Sequence, residues 1–382
     1  MGTAYLTHIG AFLPNEPVKN EDIENILGLI NGKPSRAKSR ILKNNGIKSR
    51  YYAIDPKTGK QTHNNAQLTA EAIRVLLKKS NLPLEEIECL VCGTSIPDQI
   101  IPNHAVMVHG ELDCPPCEVI STSGVCCSGV SALKYGYMSV SAGITKNAIT
   151  TGSELVSRVL RAKHFEPEIE AKIQALEAKP IIGFEKDFLR WMLSDAAAAV
   201  LITDKPRQDG ISLQIDWIEL ISFANELETC MYLGAEKRVD GSLQGWPDVE
   251  NPEDVWKESY FALKQDTRLL GENIIPYGPK CFLKIRDKYN MNLDDITWFL
   301  PHYSSEYFRQ PLYEYIENMG MNIPYEKWFT NLSYKGNTGS ASIFVMLEEL
   351  MSSGKIQQGD KILCMVPESA RFSYAYMHLT AA

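Results

Sequence analysis

The sequence predicts an α/β protein made of two similar halves, and three observations carry that prediction. Helix-like and strand-like segments alternate along the chain. The same order of segments returns after about 209 residues. The longest clearly apolar run, Ala196–Ile202, is the length of a strand and far short of the roughly 20 residues that span a bilayer.

In the first half, Ala72–Asn81 reads as an amphipathic helix, Leu84–Ile87 as a turn and Cys89–Cys92 as a strand. Cys281–Asn290, Leu293–Ile296 and Trp298–Leu300 repeat that order and end at Pro301-His302. A second pair aligns at nearly the same shift: Cys127–Leu133 with Asn337–Ile343. Each opens a helix that leads to a glycine and then a strand, Asn147–Thr150 in one half and Asp360–Leu363 in the other. The halves divide near residue 205, giving units 1–205 and 206–382. Such alternation argues for largely parallel sheets covered by helices on both faces, with chemistry at strand carboxyl ends and helix N-termini. Cys127 and Asn337 each start a helix and His302 ends a strand, so the repeat brings them toward the line between the halves.

Composition bounds the function. The 382 residues are 44% hydrophobic and 23% charged, a globular balance that excludes disordered and fibrous classes. A net charge of −8 argues against a surface built to hold nucleic acid or a membrane. No secretory signal pattern opens the chain, and the nine cysteines are an odd number, so a cytoplasmic protein without a disulfide framework is expected. No two of the 25 glycines are separated by a single residue, which removes the dinucleotide fingerprint and the kinase loop. G-x-S-x-G and H-E-x-x-H are absent as well.

A cysteine at a helix N-terminus meets unpaired N–H groups and the positive end of the helix dipole, which lower its pKa and make it nucleophilic. Cys127 has that place, and the loop Ser121–Gly129 before it is rich in small residues that let a substrate approach the backbone. An imidazole and an amide both donate hydrogen bonds to a thioester oxygen that becomes negative. His302 and Asn337 supply that pair.

At these residues the sequence resembles the ketoacyl-synthase III-type condensing enzymes of the thiolase superfamily. Cys-Ser-Gly at Cys127, Pro-His at His302 and Gly-Asn-Thr at Asn337 carry the resemblance in order. Gly46-Ile47 with Arg50, Thr94-Ser95 with Pro97-Asp98, Gly152-Ser153-Glu154 and Ser194-Asp195 support it over nearly the whole chain. It implies a five-layered αβαβα sandwich, a homodimer, and decarboxylative Claisen condensation without metal or redox cofactor. Cys127 then takes an acyl group from a carrier-protein or coenzyme A thioester. His302 and Asn337 stabilise the enolate of a second, β-carboxylated thioester, and the Cys127 N–H holds the other oxyanion.

Two departures point to a specialised synthase. The family's glycine-rich turn near the C-terminus is replaced by Glu368–Phe372, where the Arg371 side chain is expected to reshape the acyl pocket. An apparent insertion occupies about 159–193, with helix-like 166–178. Among specialised branches, the dialkylresorcinol- or cyclohexanedione-forming ketosynthases fit best.

Other signals have plainer readings. Cys89 and Cys92 with Cys114 and Cys117 nearly match a zinc ribbon, yet i and i+3 of one strand point to opposite faces and do not ligate one ion. No metal is expected there. His104 and His109 read as packing or surface residues. Lys33–Arg50 holds seven basic residues and no acid. Within it Lys43, Lys48 and Arg50 are candidates to dock coenzyme A phosphates or an acidic carrier protein, with Arg158, Arg161 and Lys163 as possible additions. The rival readings are a simple acyltransferase that moves the Cys127 acyl group to an amine or alcohol, a noncatalytic carrier-binding subunit, and a zinc module.

Overall fold

The computed structural model describes residues 2–165 and 188–382. The stretch 166–178 and most of the expected insertion lie outside the described residues.

Nine strands make the main sheet: β1 (Tyr5–Phe12), β2 (Cys89–Thr94), β3 (Glu118–Ser123), β4 (Asn147–Glu154), β5 (Ala196–Thr203), β6 (Leu213–Ser222), β7 (Ile296–Pro301), β8 (Lys361–Glu368) and β9 (Ser373–Ala381). Their spatial order is β7-β8-β9-β6-β1-β5-β4-β2-β3. Every residue of β2 and β4 is buried, as strands covered on both faces require. The sheet is narrowest at its middle, where β1 and β6 share only the pairs Tyr5–Gln214 and Leu6–Leu213.

The expectation of largely parallel sheets is corrected here. Only β2–β3, β2–β4 and β7–β8 run parallel. β4–β5, β5–β1, β1–β6, β6–β9 and β9–β8 are antiparallel. The turn Ser369–Phe372 between β8 and β9 is too short for a crossover helix, so the chain must fold straight back.

Six helices cover these strands: α1 (Asn65–Ser80), α2 (His104–Leu112), α3 (Ser128–Ser141), α4 (Thr267–Tyr289), α5 (Arg309–Asn318) and α6 (Ser342–Ser352). Ala72, Ile73 and Leu76 of α1 and Val108 of α2 pack on Leu90, Cys92, Ala197 and Leu201. On the other face of the same strands, Cys89, Val91 and Ala198 meet Val130 and Leu133 of α3 and Phe344 and Leu347 of α6, and those helices also pack against Cys364, Val366 and Met377. Beyond β8 and β9, Leu363, Tyr374 and Tyr376 pack on Phe282 and Ile285 of α4 and Leu312 of α5. The result is a five-layered αβαβα sandwich with α3 and α6 as its middle layer.

The two halves repeat down to their caps. α1 ends at Asn81 and α4 at Asn290, both left-handed, which a short polar side chain tolerates. A 3-10 turn (Leu84–Glu86, Leu293–Asp295) and a strand follow each. The second half keeps only a trace of a β3 equivalent, a parallel bridge between Phe299 and Trp328. Glycines set the spacing of the middle layer: a Cβ on Gly129 would lie 2.5 Å, and one on Gly152 2.3 Å, from the carbonyl oxygen of Ser340.

Candidate active site

Three loops at strand and helix ends build the site. Cys127 is the N-cap residue of α3. The turn before it is held by Thr122 Oγ1 donating to the Ser128 carbonyl (2.9 Å) and Ser128 Oγ donating to the Val125 carbonyl (2.8 Å). His302 follows β7, its N–H donating to the Met365 carbonyl at 2.8 Å. Asn337 is fixed on both sides of its peptide: its N–H donates to Met192 O (3.0 Å) and its carbonyl accepts from Ser194 N–H (2.8 Å). Its Oδ1 accepts from the Gly339 N–H at 3.0 Å, which leaves Nδ2 as the amide's donor.

His302 and Asn337 line one cavity of about 320 Å³ together with Gly124, Val125 and Cys126 of the α3 turn. The remaining wall is mostly apolar, with Leu189, Met192, Met231, Ile274, Phe308 and Leu312 among its residues. Cys127 lies just beneath this surface, buried, with its Sγ 3.2 Å from the Val366 carbonyl oxygen. The structure thus brings His302 and Asn337 to the same cavity as the turn that carries Cys127, and it is Cys126, not Cys127, that is among the lining residues. Burial lowers His302 to about 4, so its imidazole is neutral at neutral pH and donates from a single N–H.

The thiol departs from the sequence expectation. Burial, and then the charge of Glu368, push the Cys127 thiol well above its ordinary pKa, against the lowering that a helix N-terminus provides. The backbone N–H of Cys127 is not open either, because it donates to Glu368 Oε2 at 3.0 Å, and the Val125 N–H donates to the same oxygen at 2.8 Å.

Arg371 is also corrected. It is exposed, its Nε donates to the Leu227 carbonyl at 3.2 Å, and it does not line the cavity. From the same stretch, Glu368 is directed at the Cys127 turn.

Two carboxylates were thus left without roles by the sequence reading. Glu154 ends β4 and Glu368 ends β8, strands that the repeat makes equivalent. Glu154 lines the cavity, accepts the Ser95 hydroxyl and the Ser340 N–H (3.1 Å), and is raised to about 7 by burial. Their shared position, a Glu closing each repeated strand, was the available signal. Asp98 and Asp195 are scaffold: Asp98 caps α1 through the N–H groups of Asn65 and Ala66, and Asp195 accepts from Ala53 and Ser157.

Of the proposed docking cations, Lys43 and Lys48 are exposed. Arg50 is not available, because it is fully buried and donates to Asn20 Oδ1 (2.7 Å) and the Trp191 carbonyl (3.1 Å). Arg158 is tied to Asp98 at 2.7 Å. The Gly46 turn between Lys43 and Lys48 packs against Glu306, in the loop that follows His302.

Cys89 packs in the middle layer and Cys92 under α1 and α2, on opposite faces of β2 as expected. All nine cysteines are free thiols. Cys114 and Cys117 instead gather with His109, their ligand atoms within 4.8 Å of one another, a grouping the sequence reading did not make. Among the described residues, no helix is long and apolar enough to cross a membrane.

Residues 287–367 match the family described as 3-oxoacyl-(acyl-carrier-protein) synthase III C terminal. The chain is 24% identical to the β-ketoacyl-(acyl-carrier-protein) synthase III of Clostridium perfringens over 369 residues, 95% of each chain. Its fold is similar to that of a tetronic acid condensing enzyme (TM-score 0.76, 17% identity, 99% of both chains). It is also similar to Xanthomonas campestris OleA, solved with lauric acid and lauroyl-CoA (TM-score 0.72, 16% identity, 99% of both chains).

Proposed function

We propose that this chain, a homologue of the ketoacyl-synthase III-type condensing enzymes, joins two thioesters by Claisen condensation, using Cys127, His302 and Asn337. The observation that carries the reading is the convergence of His302 and Asn337, from two separate loops, with the Cys127 turn on one apolar-walled cavity.

Cys127 takes the acyl group: its sulfur bonds the thioester carbon, the carbonyl electrons move to oxygen, and their return expels the donor thiol with the proton that Cys127 lost. A second, β-carboxylated thioester then loses carbon dioxide. The electrons of the broken bond form an enolate whose oxygen receives hydrogen bonds from His302 and from Asn337 Nδ2. Its α-carbon attacks the Cys127 thioester and restores the free sulfur. Both donors act without changing charge, as a neutral His302 requires.

The thioesters are carried by coenzyme A or an acyl carrier protein, docked near Lys43 and Lys48. The apolar wall suits an alkyl chain, and the role we propose is specialised lipid or polyketide synthesis such as the dialkylresorcinol type. A homodimer is part of the reading, since β3 pairs only with β2 among the described residues and leaves an edge for a second copy.

Intact-protein mass spectrometry with a panel of acyl-coenzyme A and acyl-carrier thioesters tests this. We expect an acyl adduct that disappears in Cys127→Ala and persists in Cys126→Ala. His302→Ala should keep the adduct while losing about 100-fold or more in condensed product. An adduct without decarboxylation on adding malonyl thioester would favour the acyltransferase instead.

A further inference from the structure

We infer that Glu368 is a gate on the oxyanion hole of Cys127: in the free protein its carboxylate holds the N–H groups that a thioester oxygen needs, and it must leave before Cys127 is acylated. The inference rests on the nucleophile assigned above and adds a regulatory residue to it.

Three observations converge. Glu368 Oε2 accepts from the N–H of Val125 (2.8 Å) and of Cys127 itself (3.0 Å). These donors sit at the N-terminus of α3, where the backbone stabilises a developing negative charge. The carboxylate is therefore an internal mimic of the oxyanion, bound where the reaction needs an empty pair of donors. The approach is close on the glycine side as well, since a Cβ on Gly124 would lie 3.3 Å from the same oxygen.

Second, Glu368 is 8% exposed, so its charge acts on Cys127 through little water. Third, its place in the chain suits movement. It is the last residue of β8, at the entry to the turn that folds back to β9, and the next residue, Ser369, lines the cavity. Among the described residues both bonds fall on one oxygen and come from backbone donors alone, and an arriving thioester carbonyl offers the Cys127 N–H the same kind of acceptor.

The exchange is balanced. As the thioester enters, its carbonyl oxygen takes over the Cys127 N–H and the carboxylate swings toward the cavity. Sulfur attack then places negative charge on that oxygen, and expulsion of the donor thiol returns the electrons to the carbonyl. Removing the carboxylate both frees the donors and lets the thiol ionise more readily. A free thiol awaiting substrate is thereby kept in its unreactive form.

The test compares wild type with Glu368→Gln and Glu368→Ala, with folding checked by thermal melting. The first readout is the rate at which iodoacetamide alkylates Cys127 at neutral pH, with the site located by peptide mapping because Cys126 is adjacent. Removal of one like charge should raise that rate about tenfold in both variants. The second readout is the rate of acyl loading, expected to rise most in Glu368→Ala, which also empties the hole. Alkylation that is unchanged or slower in variants melting as wild type does would overturn the gate. So would faster alkylation with slower loading, since Glu368 would then assist acyl transfer. If wild type loads no thioester at all, the condensing-enzyme reading fails while alkylation still decides on Glu368.

Discussion

Glu154 and Glu368 stand at equivalent ends of β4 and β8, and each reaches across the molecule to the helix start of the other half. Glu154 receives the N–H of Ser340, just before α6, and Glu368 receives the N–H of Cys127, just before α3. Glu154 is also bound on its second oxygen by the Ser95 hydroxyl, and Gly339 approaches it so closely that a Cβ there would lie 2.6 Å from its Cγ. Among the described residues Glu368 has backbone partners alone, on a single oxygen. The two halves thus use one carboxylate position twice, as a tie held on both oxygens in one half and, on the reading proposed above, as a releasable one beside Cys127.

Breaking the tie should cost far more than releasing the gate. The largest effect is expected at the glycine beside it: Gly152→Ala drives a Cβ against the Ser340 carbonyl, which is backbone and cannot turn away. We expect a loss of roughly 3 kcal/mol or failure to fold, read by urea denaturation. Next, Glu154→Ala strands the Ser340 N–H and the Ser95 hydroxyl in a buried site and should cost about 2 kcal/mol or more. A small change on that substitution would mean that Glu154 is no more anchored than Glu368.

A subtler difference lies in pH. Burial raises Glu154 to about 7 in the folded protein, above its value in the unfolded chain. The folded state then binds more protons, so the stability linked to this group is fully present below about pH 4.5 and is lost as pH rises toward 7. The loss is up to about 3 kcal/mol. Denaturation midpoints of Glu154→Gln across that range should fall less steeply than those of wild type, and parallel curves would remove Glu154 as the source.

Much of this was legible in the sequence because local chemistry wrote it there. The helix, turn and strand that repeat as Ala72–Cys92 and Cys281–Leu300 follow from side-chain periodicity. The same repeat marked Cys127, His302 and Asn337 as residues at element ends. Cys89 and Cys92 part for a similarly local reason, since alternation along a strand sends the two thiols to different faces.

What the sequence could not supply were the directions taken by long side chains at the ends of elements. Arg50 and Lys48 look alike in a basic run, yet one is buried against Trp191 and the other is exposed. Arg371 and Glu368 share one turn, and the chain turned the acid inward and the base outward. Cys127 sits at a helix N-terminus as its sequence implies, but its acidity depends on burial and on a carboxylate 241 residues away. Local propensity determined which segments form and which residues stand at their ends. Only tertiary packing decided which charge faces which donor, because that depends on groups brought together from distant parts of the chain.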